Sequence, residues 1–297
     1  MTLNPDARPD TGQVRDVGRA GGGLGGLPIP IPRGPVGLIV LALLVIGGLV
    51  GGNSLLGDGG GDPGDGTLSC PAGAQQDVKC RNALYVTSIQ NYWRTALPQT
   101  FFEQYRDSDT VFFEQAVNTA CGAADSGVGP FYCPEDELIY IDVSFWNELA
   151  TRFGAEGQFA QPYVLAHEYG HHVQDLLGIE ADMRAKMQRD PANQNAYSVF
   201  LELQADCFAG IWTRHATQTT DAGGRPIFTQ LTDADIAQAL DAAAAVGDDA
   251  IQKQMGGSVD ESKFTHGSSE QRQHAFNTGY TSGDPKVCTT MNLEGGP

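Results

Sequence analysis

Two histidines and a glutamate stand in one short apolar segment, in the pattern H-E-x-x-H. His167 and His171 are four residues apart, and Glu168 directly follows the first of them. On an α-helix, side chains four residues apart lie on one face, one turn from each other. Two imidazole nitrogens placed in this way can reach one zinc ion at roughly 2.0–2.1 Å, and a neighbouring glutamate can act as a base. The spacing therefore predicts the zinc site of a hydrolase.

The four-residue pattern alone is a weak signal, because it also arises by chance on exposed helix surfaces. Here the residues around it are apolar, with Val164 and Leu165 before the motif and Val173 after it. A helix with such neighbours is expected to be largely buried, and buried histidines need partners. We therefore interpret His167 and His171 as metal ligands rather than as two surface histidines.

A catalytic zinc site needs a third protein ligand and leaves a fourth position open. The next predicted helix carries Glu202 and, four residues later on the same face, Asp206, both among apolar residues. Glu202 is the candidate third ligand. Asp206 is suited to accept the second ring N–H of a ligating histidine, which would fix the tautomer of that histidine. The alternative is a pair of acidic residues on an exposed helix surface.

The elements that must position these residues are mostly helical. Pro162 and Gly178 mark the two ends of the helix that carries the motif. Apolar periodicity predicts further helices at 81–106, 109–119, 196–215 and 233–247. Residues 136–142 show the clearest strand pattern. One short strand region among many helices predicts an α+β fold.

The N-terminal part of the chain differs in composition from the rest. Residues 1–34 are rich in Gly, Pro, Asp and Arg and are predicted to be disordered. Residues 35–52 are apolar and uncharged, which is just enough for one transmembrane helix, and residues 53–66 have the composition of a flexible linker. The folded domain is expected at 67–292, followed by a disordered tail at 293–297.

The apolar segment at 35–52 is interpreted as an uncleaved anchor in the cell membrane. A cleavable signal peptide, the alternative, usually has a shorter apolar core and a far shorter leader, and no A-x-A site follows here. The first basic residue after the segment is Lys79, whereas four arginines precede it: Arg8, Arg15, Arg19 and Arg33. The positive-inside rule then predicts a single-pass protein with a cytoplasmic N-terminus and an extracytoplasmic catalytic domain.

The net charge of the chain bears on its partners. Its 36 acidic residues against 18 basic ones leave a formal charge of −18. Binding of nucleic acid is not expected, because phosphate contacts require clustered lysine and arginine. The acidity is instead typical of an exposed, soluble domain.

The cysteines are expected to form disulfides if the domain lies outside the cytoplasm. None of the six belongs to a C-x-x-C pair, which argues against a cysteine zinc site. The pairings that close short loops are Cys70–Cys80 and Cys121–Cys133, which leaves Cys207–Cys288. Many other pairings are open, and Cys207 is alternatively a small buried residue of its helix.

Several stretches resemble the bacterial putative neutral zinc metallopeptidase family, within the gluzincin branch of zinc peptidases. They are SGVGPFYCPEDELIYID (126–142), VLAHEYGHHVQ (164–174), LELQADCFAGIW (201–212), THGSSEQR (265–272) and GYTSGDPKVC (279–288). The resemblance implies a mainly helical, zincin-like domain that binds Zn²⁺, commonly held at the membrane by one span. It also implies His167, His171 and Glu202 as zinc ligands and Glu168 as the catalytic base.

Other polar residues are candidates for supporting roles. Some gluzincin sites contain a distal His, Tyr or Arg that stabilises the oxyanion, and the resemblance implies His266 or Arg272 for this role. The alternative for His266 is a structural place in a polar loop. His172 lies about 100° round the helix from His171, so a structural or supporting role is predicted for it.

Together these features predict a membrane-anchored zinc peptidase that hydrolyses peptide bonds with a metal-activated water and Glu168 as general base. The strand at 136–142 is expected to bind the backbone of a protein or peptide substrate by strand addition. One alternative is a metal-stabilised extracytoplasmic binding or scaffold module without turnover, and another is an envelope domain without metal. The presence of Glu168 argues against the scaffold, because a structural zinc site needs no base.

Overall fold

The computed structural model describes residues 1–18, 66–71, 73–151 and 157–291. The helices in this part of the chain are α1 (Val78–Phe101), α2 (Phe145–Thr151), α3 (Ala160–Leu176), α4 (Ile179–Arg189), α5 (Gln194–His215), α6 (Asp233–Ala245), α7 (Asp248–Gln254), α8 (Ser269–Ser282) and α9 (Lys286–Thr289). The strands are β1 (Thr2–Leu3), β2 (Val14–Gly18), β3 (Thr110–Phe113), β4 (Ala116–Thr119), β5 (Gly122–Asp125), β6 (Phe131–Cys133), β7 (Leu138–Asp142) and β8 (Phe228–Gln230).

A four-stranded sheet has the order β2-β3-β7-β6, with β2, β3 and β7 parallel and β6 antiparallel to β7. Both faces of the sheet are covered. Phe112 and Ile141 belong to the main core with the helices, whereas Val111 and Tyr140 belong to a smaller cluster with the β4–β5 hairpin. This alternation follows from the period of two along a strand. Mixed helix and sheet agree with the predicted fold class.

The helix predicted at 109–119 is wrong. These residues form β3 and β4, and between them Gln115 adopts a positive φ of 73°. All four residues of β3 are buried because both faces of its sheet are covered. A short apolar run of this kind has no alternation, so periodicity does not distinguish it from a buried helix.

The strand predicted at 136–142 is confirmed as β7, but the prediction that it binds substrate is not confirmed. β7 is hydrogen-bonded to β3 on one side and to β6 on the other. Neither of its edges is available to another chain, so the prediction that a substrate adds as a strand at 136–142 is wrong. The edge strand on that side of the sheet is β6.

Residues 1–18 are part of the folded domain, which contradicts the disorder predicted for them. β2 pairs with β3 in the sheet, β1 pairs with β8, and Val14 is 2 % exposed in the main core. The composition of 1–18 does not show this, because the segment is stabilised by an edge that only the folded domain presents. Residues 19–34, the apolar segment 35–52, nearly all of the predicted linker and the tail 293–297 lie outside the described residues.

No helix in the described part of the chain has the length and apolar character needed to cross a membrane.

Helices α5 and α8 cross at backbone contact distance. A Cβ at Gly210 would lie 2.0 Å from the carbonyl oxygen of Phe276, and a Cβ at Gly279 would lie 2.0 Å from that of Cys207. The Cys207–Cys288 disulfide lies beside this crossing, and Cys70–Cys80 and Cys121–Cys133 are also bonded. All three predicted pairings are therefore present. The close crossing brings side chains of α8 against the next turns of α5.

Candidate metal centre

Helix α3 presents the H-E-x-x-H motif towards α5. Its Tyr169 hydroxyl donates to the carbonyl oxygen of Ser108 at 2.9 Å, beside the start of β3, which orients the helix over the sheet. Gly170, inside the motif, allows α5 to approach, because a Cβ there would lie 2.9 Å from Cα of Ala205. The helix ends before Gly178, which has a φ of 69° and supplies the expected left-handed terminus.

Three side chains converge where α3 and α5 meet. Nε2 of His167 lies 3.2 Å from Nε2 of His171 and 3.2 Å from Oε2 of Glu202. Nε2 of His171 lies 3.5 Å from Oε1 of Glu202. Ligand atoms at 2.0–2.1 Å around a tetrahedral zinc ion are about 3.3–3.4 Å apart. Two imidazole nitrogens and a carboxylate at these separations fit one zinc ion between them.

No other group of His, Cys, Asp and Glu side chains in the described residues is arranged in this way. His167 and Glu202 are each 6 % exposed, and His171 is half-buried. The structure thus brings together the three residues that the sequence singled out as ligands.

Asp206 lies directly behind His167. Its Oδ1 accepts the Nδ1–H of His167 at 2.8 Å and the hydroxyl of Tyr163 at 2.6 Å. Its Oδ2 accepts Nε–H of Arg272 at 2.7 Å. With the Nδ1–H directed at Asp206, Nε2 is the ring nitrogen of His167 that faces Glu202 and is placed to bind zinc.

Gln174 holds His171 in the corresponding way. The Nδ1–H of His171 donates to Oε1 of Gln174 at 2.9 Å, and Nε2 of Gln174 donates to the carbonyl oxygen of Leu201 at 2.7 Å. Sequence reasoning missed both Gln174 and Tyr163. A signal was available, since Tyr163 is four residues before His167 and Gln174 three after His171, on the same helix face.

Arg272 is occupied by Asp206 rather than directed at substrate. It is 3 % exposed; its terminal N–H groups also donate to Oδ1 of Asp206 at 3.1 Å and to the carbonyl oxygen of Val246 at 3.3 Å. One guanidinium nitrogen lies 3.7 Å from Oε2 of Glu202. The arginine therefore acts on the site by fixing Asp206 and by offsetting the negative charge of two buried carboxylates.

His266 lies in the loop that precedes α8. Oδ2 of Asp248 accepts the backbone N–H groups of Thr265, His266 and Gly267 at 2.7, 2.6 and 3.0 Å, and Oδ1 lies 3.2 Å from Nδ1 of His266. A Cβ at Gly267 would lie 3.2 Å from the side chain of Leu203, the residue after Glu202, so the loop rests on α5.

His266 also affects the pKa of Glu202. Burial by itself would raise the pKa of Glu202, but His266, His167 and His171 together hold it well below its usual range. The loop that carries His266 therefore lies beside the helix that carries Glu202.

Glu168 is buried beside the two histidines and is 7 % exposed. Burial raises its pKa, while the nearby positive charges of His167 and His171 oppose that rise. A carboxyl group with a raised pKa is well suited to take up and release a proton near neutral pH.

His172 points away from the metal centre, as the helix geometry predicted. Its Nε2–H donates to the carbonyl oxygen of Arg106 at 2.7 Å, and its Nδ1 lies 3.1 Å from the hydroxyl of Tyr132 in β6. Burial lowers its pKa. His172 therefore joins α3 to the edge strand β6.

Metal binding should displace a proton from His167. Burial alone would lower the pKa of this histidine, but Asp206 and Glu202 outweigh burial and raise the pKa to about 10. The ring then carries an extra proton at pH 7 in metal-free protein, whereas zinc needs the lone pair of a ring nitrogen. We expect about one proton released per zinc, with the affinity for zinc weakening by about tenfold per unit fall in pH.

Isothermal titration calorimetry of metal-free protein, in buffers of different ionisation enthalpy, measures this release. Asp206→Asn is the matched control, because removing the carboxylate lowers the pKa of His167 and should reduce the number of protons released. An affinity for zinc that stays constant between pH 6 and pH 8 would contradict the expectation.

Comparison with known proteins agrees with this arrangement. The chain is 38 % identical over 290 residues to an uncharacterized protein of Escherichia coli K12, covering 96 % of this chain and 97 % of that one. It is 43 % identical over 234 residues to an uncharacterized protein of Mycobacterium tuberculosis H37Rv, covering 77 % of each chain. No solved structure matches it. Residues 5–291 match one family, and the chain belongs to it: the putative neutral zinc metallopeptidases.

Proposed function

We propose that the protein is a zinc-dependent peptidase acting on protein or peptide substrates. The observation that carries the proposal is the set of three nitrogen and oxygen atoms 3.2–3.5 Å apart on His167, His171 and Glu202, with the buried carboxyl of Glu168 beside them. Three protein ligands leave a fourth position open for catalysis. When bound, zinc lowers the pKa of a coordinated water and polarises the carbonyl group to be cleaved.

Glu168 is assigned as the general base. It follows the first ligand on α3 and is outside the three-residue ligand set. It takes the proton of the attacking water and delivers it to the amine that leaves when the peptide bond breaks. Its raised pKa helps it to hold that proton between the two transfers.

His266 is assigned as the group that stabilises the oxyanion. Asp248 holds the loop through backbone N–H groups and lies 3.2 Å from Nδ1 of the ring, and Nε2 takes no part in these contacts. An N–H at Nε2 can donate to a developing negative charge.

Replacement of Glu168 by Gln tests the central proposal. We expect cleavage of casein or of a broad peptide library to fall by roughly 10²–10⁴-fold, because the proton acceptor is lost. Zinc content should stay at about one ion per chain, since the ligands His167, His171 and Glu202 are unchanged. Glu103→Gln, at an exposed glutamate, is the matched control and should leave both values unchanged.

The two readouts separate the proposal from its rivals. Zinc retained by the parent protein, with no cleavage of any library peptide, would favour a scaffold held together by metal. A folded parent protein that binds no zinc after purification without chelators would contradict the metal centre itself.

Replacement of His266 by Ala tests the second role. We expect kcat to fall by about 10²–10³-fold with KM and zinc content nearly unchanged, which is the usual effect of losing one oxyanion donor. His274→Ala is the control, because His274 is exposed on α8, the helix that follows the loop. An unchanged kcat, in a variant whose unfolding temperature is also unchanged, would leave His266 with only a structural place in the loop.

We place the folded domain outside the cytoplasm, because its six cysteines form three disulfides and such bonds persist in oxidising compartments. Alkylation of living cells with a permeant maleimide before lysis, followed by mass spectrometry of the protein, measures the free thiols. We expect no alkylated cysteine. Alkylation of most cysteines would contradict an extracytoplasmic domain.

A further inference from the structure

Residues 1–18 are bonded into the sheet that supports the metal centre. β2 pairs with β3 through Val14, Arg15, Asp16 and Gly18, in parallel register with Thr110–Phe113. β3 would otherwise be an edge strand, with a row of backbone N–H and C=O groups left unpaired. The first residues of the chain therefore complete the sheet.

Charged side chains reinforce this pairing. The guanidinium of Arg15 donates twice to Oδ2 of Asp109, at 2.7 and 3.0 Å. The ammonium of Lys79 contacts both carboxylate oxygens of Asp16, at 2.7 and 2.8 Å. Both pairs join residues 1–18 to the part of the chain that begins at residue 66, and all four side chains are partly buried.

The chain leaves the sheet and returns to it at the same place. The backbone N–H of Asp16 donates to the carbonyl oxygen of Gly66 at 2.8 Å, and Arg15 forms a bridge with Thr67. The approach is close, since a Cβ at Gly66 would lie 1.9 Å from the carbonyl oxygen of Asp16. The sequence between these two points contains the apolar segment 35–52.

A single crossing of the membrane by that segment is incompatible with these contacts. The hydrocarbon core of a bilayer is about 30 Å thick, so one crossing would put residues 1–18 and residues 66–291 on opposite sides. The pairs Arg15–Asp109 and Asp16–Lys79, and the pairing of β2 with β3, require both parts on one side.

We propose that residues 1–18 lie in the same compartment as residues 66–291, as a structural strand of the catalytic domain and not as a cytoplasmic tail. Gly18 and Gly66 lie at the same edge of the sheet, so the chain leaves the folded domain and returns to it at that edge. The proposal concerns the topology of the chain and does not depend on the proposed peptidase activity.

The charge pattern that predicted a cytoplasmic N-terminus has a second explanation. Arg15, one of the four arginines before the apolar segment, is paired with Asp109 inside the domain. The backbone N–H of Arg8, another of the four, donates to Oδ2 of Asp221 at 2.9 Å. Both arginines therefore belong to the folded part of the chain, which weakens the positive-inside argument.

Zero-length cross-linking of the unaltered full chain tests the proposal. A water-soluble carbodiimide is added to intact spheroplasts that express the protein, and the cross-linked peptides are identified by mass spectrometry. Among the described residues, Lys79 has two acidic neighbours, Asp16 with Nζ–Oδ2 of 2.7 Å and Glu114 with Nζ–Oε1 of 3.6 Å. The link to Glu114 forms in either topology and serves as the internal control.

We expect the Asp16–Lys79 link to be at least as abundant as the Lys79–Glu114 link, because its atoms are closer. Asp16→Asn should abolish the first link and leave the second. An Asp16–Lys79 link less than about a tenth as abundant as the Lys79–Glu114 link would overturn the proposal. The N-terminus would then lie on the opposite side of the membrane from residues 66–291. Cross-linking before lysis is essential, because detergent would allow the two parts to meet.

Discussion

The buried carboxylate of Asp206 is the interaction on which the metal centre depends. It is fully buried and accepts hydrogen bonds from three side chains on two helices: His167 and Tyr163 on α3, and Arg272 on α8. A buried charge left without its partner typically costs 3–5 kcal/mol, so these donors are held together strongly. Because Asp206 sits on α5 one turn after Glu202, a single carboxylate fixes the histidine tautomer, the third ligand and the packing of three helices.

Such a carboxylate can be surrounded only if the helices approach closely, and glycines permit this. Gly170 allows α3 to reach Ala205, and Gly210 and Gly279 allow α5 and α8 to touch backbone to backbone. A single added methyl group at either crossing would overlap a neighbouring main chain. The geometry of the site thus depends on three glycines. In addition, the Cys207–Cys288 disulfide covalently joins α5 to α9, the helix that follows α8.

The sheet connects the metal centre to the beginning of the chain. Tyr169 on α3 contacts the residues before β3, and His172 contacts the edge strand β6. The site helix is therefore joined to the sheet from the middle of the motif and from the residue directly after it. β3 is in turn covered by β2 from residues 1–18. The N-terminal strand is therefore linked to the site helix through β3, although 148 residues lie between Gly18 and His167 in the sequence.

Local spacing in the sequence was sufficient to find the three candidate ligands, which the structure brings together. A four-residue repeat on a helix puts His167 with His171, and Glu202 with Asp206, on common faces, because helix geometry depends only on neighbouring residues. Only the tertiary structure decided which distant groups complete the site, because Arg272 and Asp248 come from elements whose approach depends on packing. The tertiary structure also decided that β7 is a central strand, with β3 and β6 paired to its two edges. The tertiary structure also decided where residues 1–18 lie. This polar segment is ordered by pairing with the edge of β3, which no local sequence pattern reveals.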